Sequence, residues 1–359
     1  MKLFNDPQIA DRLSKQIRQS VSAPLRLMEV CGTHTVAIFR SGIRSLLPEE
    51  ITLLSGPGCP VCVTAIEDID RAAAFVNLPD VILTTFGDMM QVPGSKSSLN
   101  EEKAKGRDIR IVYSPMDSLK IADENRGKKV IFFATGFETT SPSVAATALE
   151  SHTLGLKNFY IFSVHKLVPP AISALLSSED VRLDGLILPG HVSTIIGIKP
   201  YEFIAAQYSV PSVISGFEPI DILQAIYMLV LQINNKEPKV GLQYKRVVCP
   251  DGNQKAVRLI NTVFKPADAR WRGIGVIPQS GLKLRDKFSF MDAEKIFDIN
   301  IPPAKEPSGC SCGDVLRGIK IPTDCLLFGK ACTPENPIGA CMVSTEGSCA
   351  AYYKYGMFR

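Results

Sequence analysis

No apolar run in this 359-residue chain approaches the roughly 20 residues of a membrane helix; the longest, Ala225 to Ile233, falls far short. The stretch Met1 to Arg12 carries charges early and lacks a continuous apolar core, so a secretory signal is not expected. Lysine and arginine nowhere cluster with interleaved aromatics, and a formal charge of +4 is small for this length. The electrostatic footprint of a nucleic-acid binder is therefore missing. What is present is an ordinary globular balance, 45% apolar and 21% charged, with ample core material. The length suits two or three domains, and a soluble, cytoplasmic protein with no membrane or nucleic-acid partner is expected.

Against that background ten cysteines need a reason. A secreted disulfide framework fits neither the length nor the missing signal. Nine of the ten lie in Gly- or Pro-rich surroundings, where thiols serve as ligands or redox groups. Only Cys249, in Arg246-Val247-Val248-Cys249, reads as core filling.

Pro7 to Ser20 reads as an amphipathic leading helix. After it one unit recurs: a short apolar run, a loop rich in Gly, Pro, Ser or Thr, then a helical pattern. The runs are Leu25 to Val30, Ile51 to Leu54, Val81 to Thr84, Ile109 to Tyr113, Val130 to Ala134, Phe159 to Phe162, Leu186 to Leu188 and Ser212 to Ile214. A spacing of roughly 20 to 30 residues fits a strand plus a crossover helix in a parallel sheet. Eight units could close a barrel. Two open sheets are preferred, because the polar stretch Ile121 to Lys129 reads as a linker at the midpoint. Past Gln232 a helix-like stretch and a strand-like Gly273 to Ile277 follow. From Pro302 the chain is rich in Pro, Gly and Cys, a composition that needs a staple.

The distinctive loops all fall at the expected carboxyl ends of strands, where open α/β sheets bind ligands. Cys31 and His34 stand at the first such junction, where a helix start would lower the thiol pKa. The competing reading is a buried Cys with Thr33 or Thr35 as helix cap. Cys59-Pro60-Val61-Cys62 opens a helix at Pro60, and its spacing permits a reversible disulfide. Half a zinc knuckle is the alternative, but no second C-x-x-C exists in the chain. Asp88 and Gln91 lie in the loop after the third run, with Met89 and Met90 as packing residues. Glu138 follows the fifth run as a helix-start carboxylate, and His165 and His191 follow the sixth and seventh.

The tail holds Cys310, Cys312, Cys325, Cys332, Cys341 and Cys349, the last four separated by six, eight and seven residues. Such gaps fit zinc poorly. Four thiolates suit a [4Fe–4S] cluster, although ferredoxin spacing is absent.

Taken together, Cys31-Gly32-Thr33-His34, Gly56-Pro57-Gly58-Cys59-Pro60-Val61-Cys62, Thr85 to Gly94, Gly136-Phe137-Glu138-Thr139-Thr140, His165 to Pro170, Pro189 to Ser193 and Cys341 to Cys349 resemble the HypD family of hydrogenase maturation factors. The resemblance runs from about residue 25 to the end of the chain. It implies a fold of two similar open parallel-sheet α/β domains plus a C-terminal cysteine-rich iron–sulfur domain. In this chain that corresponds to a leading helix in 1–24, α/β domains over 25–122 and 123–233, and a cluster-bearing domain over 234–359. It implies assembly of the Fe(CN)2(CO) group of [NiFe]-hydrogenases with a small HypC-type chaperone, and receipt of cyanide from a HypE-type thiocyanate carrier.

On that basis Cys31 would be an iron ligand and His34 a second ligand or a hydrogen-bonding partner of cyanide. Cys59 and Cys62 would supply reducing equivalents. Cys325, Cys332, Cys341 and Cys349 would hold the [4Fe–4S] cluster, with Cys310 and Cys312 as rivals. Asp88, Glu138, His165 and His191 would line the cleft. An iron–sulfur thiol-disulfide oxidoreductase and a zinc-stapled protein-binding module are the two other readings of the same residues.

Overall fold

Short β-rich runs bounded by Gly and Pro loops become strands, and the computed structural model, which describes residues 6–356, forms one at each of the eight runs. These are β1 (Leu25–Glu29), β2 (Ile51–Ser55), β3 (Val81–Thr85), β4 (Ile109–Ile111), β5 (Lys129–Ala134), β6 (Phe159–Ser163), β7 (Gly185–Pro189) and β8 (Ser212–Ser215). A three-residue β9 (Val240–Leu242) follows, too short to show a pattern in sequence. β10 (Phe264–Trp271) and β11 (Gly275–Leu284) pair as an antiparallel hairpin. β3 and β7 are buried at every position, as expected where helices cover both faces of a parallel sheet.

The nine strands form two all-parallel sheets, in the orders β2-β1-β7-β8-β9 and β4-β3-β5-β6. In each sheet the first strand is internal, the second lies on one side of it, and the later strands add on the other. The two units therefore share one winding order, and each has a switch point beside its first strand.

The expected boundaries do not survive this topology. The chain leaves the first sheet after β2, builds all of β3 to β6, and only then returns for β7 to β9. A division into 25–122 and 123–233 cuts across both sheets, because run spacing records strand order along the chain and not which strands pair. The polar stretch 121–129 is no linker; it is the end of the helix Pro115–Glu124 and the turn into β5. Nor is 234–359 one unit. β9 completes the first sheet, and the hairpin bridges to the second at Lys166 and Gly281. The tail lies on the first sheet, where Arg26 Nη2 donates to the Gly318 carbonyl (2.7 Å).

Three apolar clusters hold this together. The outer face of the first sheet packs beneath the helices Pro7–Ser20, placed as the periodicity indicated, and Pro219–Asn235. The second sheet is covered by Pro115–Glu124, Ser141–Thr153 and the hairpin. The largest cluster joins both sheets to the tail, running from Met28 and Leu54 through Phe133, Phe162 and Trp271 to Cys341. Among the described residues, no helix is long and apolar enough to cross a membrane.

Phe162 is fully buried in that shared cluster, stacked on Phe133 (5.2 Å between ring centres) and edge-on to Phe75 (5.3 Å). Phe162→Ala should cost about 3–5 kcal/mol, read as a lower urea midpoint at unchanged slope.

Candidate functional site at the carboxyl edge of the first sheet

Parallel strands present their following loops on one edge. Because β2, β1, β7 and β8 are consecutive neighbours, the loops that carry Cys59, Cys31, His191 and Phe217 stand side by side. Cys31 is the N-cap of the helix Gly32–Arg40, a place the sequence left open to Thr33 or Thr35. The next loop lies directly against it: Gly32 N donates to Gly58 O (3.0 Å), and Gly56 N to Glu29 O (2.8 Å). A Cβ on Gly58 would collide with the backbone N and Cα of Cys31, so only glycine permits this approach. Cys59 caps the helix Pro60–Val63, which starts at Pro60 as expected. It is disulfide-bonded to Cys62 with Cα atoms 5.3 Å apart, and Cys62 N donates to Cys59 Sγ (3.2 Å).

Burial, not the helix start, sets the charges here. The Cys31 thiol was expected to be acidic; burial instead pushes it up to about 11, with the negative charge of Glu346 adding to the effect. His34 is pushed down to about 4, again by burial, and is neutral at physiological pH. Its Nε2 lies 2.9 Å from the Gly216 carbonyl, which can only accept, so Nε2 carries the proton. Nδ1 is then a bare lone pair, buried and without a partner among the described residues. Phe217 sits between His34 (4.6 Å) and the exposed His191 (3.9 Å) as a stacked plate. It was missed in the sequence, although it follows the eighth run at the same kind of strand end.

The other predicted residues belong to the second sheet. Asp88 is exposed on the turn Gly87–Met89, with Met89 and Met90 buried as packing residues. His165 is buried, its Nδ1 3.2 Å from Ser163 Oγ and its ring against Phe264 of the hairpin. Glu138 does not start its own helix; it accepts from Val168 N (2.9 Å) at the start of the helix Val168–Leu176. Burial pushes its carboxyl up to about 7. The four residues expected to line one cleft with Cys31 are thus divided between two sheets. Tyr201 is a fully buried phenol raised chiefly by burial, with the charges of Glu138 and Cys31 acting in the same direction.

The tail brings its cysteines together. Cys310, Cys312, Cys325, Cys332 and Cys349 line one small cavity with Val315, Leu327, Phe328 and Met342. The neighbouring thiols, Cys312 first among them, push the buried Cys341 well up and Cys349 down to about 6. Spacing separated the last four cysteines from Cys310 and Cys312, but the fold does not, since those two line the same cavity as Cys325, Cys332 and Cys349. Cys249, read as core filling, is exposed beyond the ninth strand.

Among the described residues no three His, Cys, Asp or Glu side chains surround a single-ion site. An iron–sulfur cubane does not require that, because each of its thiolates binds a different iron. The donors here are all sulfur in an apolar lining, which fits that group and disfavours hard cations. The tail also closes over the sheet edge. The helix Ala340–Val343 packs on Pro60–Val63, and Ser348–Ala351 on Gly32–Arg40. Thr33 Oγ1 donates to Glu346 Oε1 (2.6 Å). Glu346 was not singled out from sequence, although it lies within the Cys341 to Cys349 motif.

Comparison with known proteins gives the same family that the motifs resemble. The HypD family, described as the hydrogenase formation hypA family, matches residues 8–356. The chain is 48% identical to the hydrogenase maturation factor HypD2 of Bradyrhizobium diazoefficiens, covering 99% of this chain and 96% of that protein. It is 47% identical to the hydrogenase maturation factor HypD of Rhizobium leguminosarum bv. viciae (99% and 95% covered) and 45% identical to that of Cupriavidus necator (99% and 97%).

The buried Glu138 generates a pH dependence of stability. Its folded pKa of about 7 exceeds the ordinary 4.5, so its contribution is present below 4.5 and is lost as pH rises through 7. Glu138→Gln should remove that loss, making the variant's stability fall less across this window, by up to roughly 3 kcal/mol. Urea midpoints of both proteins measured across the window check the sign.

Proposed function

The chain belongs to the HypD family of hydrogenase-formation proteins, and from that premise we propose that it assembles the Fe(CN)2(CO) group of [NiFe]-hydrogenases at Cys31. The observation that carries the reading is the backbone contact between Gly58 and Cys31, which sets the Cys59–Cys62 pair beside a thiol and an imidazole lone pair. The iron is cargo, handed on when complete. Cys31 binds it by exchanging the thiol proton, released to solvent, for the metal; the raised thiol pKa opposes that exchange, so the iron must outcompete the proton. His34, with Nε2 tied to Gly216, presents Nδ1 as a second donor or as an acceptor toward bound ligands.

Cyanide is delivered from a thiocyanate on a HypE-type partner. The S–CN bond breaks with two electrons, and the Cys59 and Cys62 thiols supply them by forming their disulfide. Of the two thiol protons, one goes to the donor's sulfur; the other leaves with cyanide or passes to solvent when cyanide binds iron. The pair must regain two electrons and two protons before the next round. A [4Fe–4S] cluster, when bound by four of the six tail cysteines, supplies single electrons; Cys325, Cys332, Cys341 and Cys349 are the preferred set. The helix Ala340–Val343 keeps Cys341 against the dithiol helix, while Thr33 and Glu346 fix the tail across the Cys31 helix. The cleft of about 870 Å³ between that helix and the tail, lined by Val36, Arg40, Glu346 and Tyr353, gives a HypC-type chaperone access beside the site.

Infrared spectra of the anaerobic complex with a HypC-type chaperone should show cyanide and CO stretching bands, and Cys31→Ala should abolish them. Bands that persist in the variant would remove the iron from Cys31. Iron content no greater than that of the cluster would favour a plain thiol-disulfide oxidoreductase.

A further inference from the structure

Arg272 plays no part in the reading above, yet it is among the largest fully buried side chains, only 2% exposed. A guanidinium is seldom taken out of water without a partner. Here Nη1 donates to the Pro93 carbonyl (3.0 Å), and Nε lies 3.7 Å from Glu306 Oε2. Nη2 is buried and has no partner among the described residues. Its backbone places it between the two sulfur centres. Arg272 N donates to Val63 O (2.9 Å), the last residue of the dithiol helix, and Trp271 bridges to Thr64. On the other side Gly273 meets Gly313, next to Cys312, so closely that neither position has room for a Cβ. Trp271, Cys312 and Cys341 share one apolar cluster.

We propose that Arg272 is the fixed counter-charge of the tail sulfur centre, holding up the reduction potential of a [4Fe–4S] group bound there. The inference rests on the iron–sulfur reading of the tail. A thiolate-ligated cluster is anionic and gains one further negative charge on one-electron reduction, with no bond to the protein made or broken. A guanidinium does not deprotonate in proteins, and in a weakly polar core its attraction is little screened. It therefore stabilises the reduced state more than the oxidised one. Glu306, the nearest carboxylate, acts in the opposite sense and more weakly, because it is 45% exposed.

The test is an anaerobic redox titration of the full chain, reconstituted with iron and sulfide and reduced stepwise with dithionite, followed by electron paramagnetic resonance. Arg272→Met should shift the midpoint to more negative potential. Arg272→Lys, which keeps the charge, should stay close to the parent, and Glu306→Gln should shift it the other way by a smaller amount that shrinks with added salt. A loaded Arg272→Met protein with the parent potential overturns the inference alone. So does an Arg272→Lys shift as large as that of Arg272→Met, since packing rather than charge would then be responsible. If Arg272→Met does not fold, an unmoved potential in Glu306→Gln decides against the inference. A parent protein that takes up no iron–sulfur chromophore overturns the cluster reading, and this inference with it.

Discussion

The absence of a side chain at Gly58 is the constraint on which the site depends. It lets the loop after β2 lie against the backbone of Cys31, closed by the bond from Gly32 N to Gly58 O. Parallel pairing of β1 with β2 brings the two loops to the same edge, but any Cβ at this point would force them apart. Gly32 repeats the device on the other side, where the tail backbone at Glu346 occupies the space of its missing side chain. Sulfur-bearing segments distant in sequence are thus assembled largely through backbone contact. Such contact leaves little freedom to reposition them one at a time.

A second consequence is electrical. Burial favours the neutral forms of the groups at this edge: a protonated thiol at Cys31, a neutral imidazole at His34, and a Glu29 carboxyl raised to about 7, where both of its forms are populated, despite the nearby Arg44. A site of this kind attracts little while empty of charge. A metal bound there would have to displace the thiol proton. Arg272 stands apart as a permanent charge in the same core, and permanence is what a potential-setting group needs.

Much of the fold was legible because it is local. All eight apolar runs are strands, and the leading helix occupies Pro7–Ser20, since side-chain periodicity and Gly/Pro punctuation act within a few residues. The cysteine groupings stood out for the same reason: C-x-x-C, C-x-x-H and a cysteine-rich tail are local patterns of composition. Tyr201, Phe217 and Arg272 carry no such signal, because an isolated aromatic or arginine acquires meaning only from what folding places beside it.

Strand positions, the family and the cysteine-rich motifs were determined by the sequence itself. The tertiary structure decided which strands pair, and so sent Asp88, Glu138 and His165 to a different sheet from Cys31, His34 and His191. It gathered Cys310 and Cys312 into the same cavity as the later cysteines, and it reversed the expected acidity of Cys31. The physical reason is common to all three. Pairing, convergence and desolvation depend on contacts between residues far apart in the chain, which no local pattern encodes.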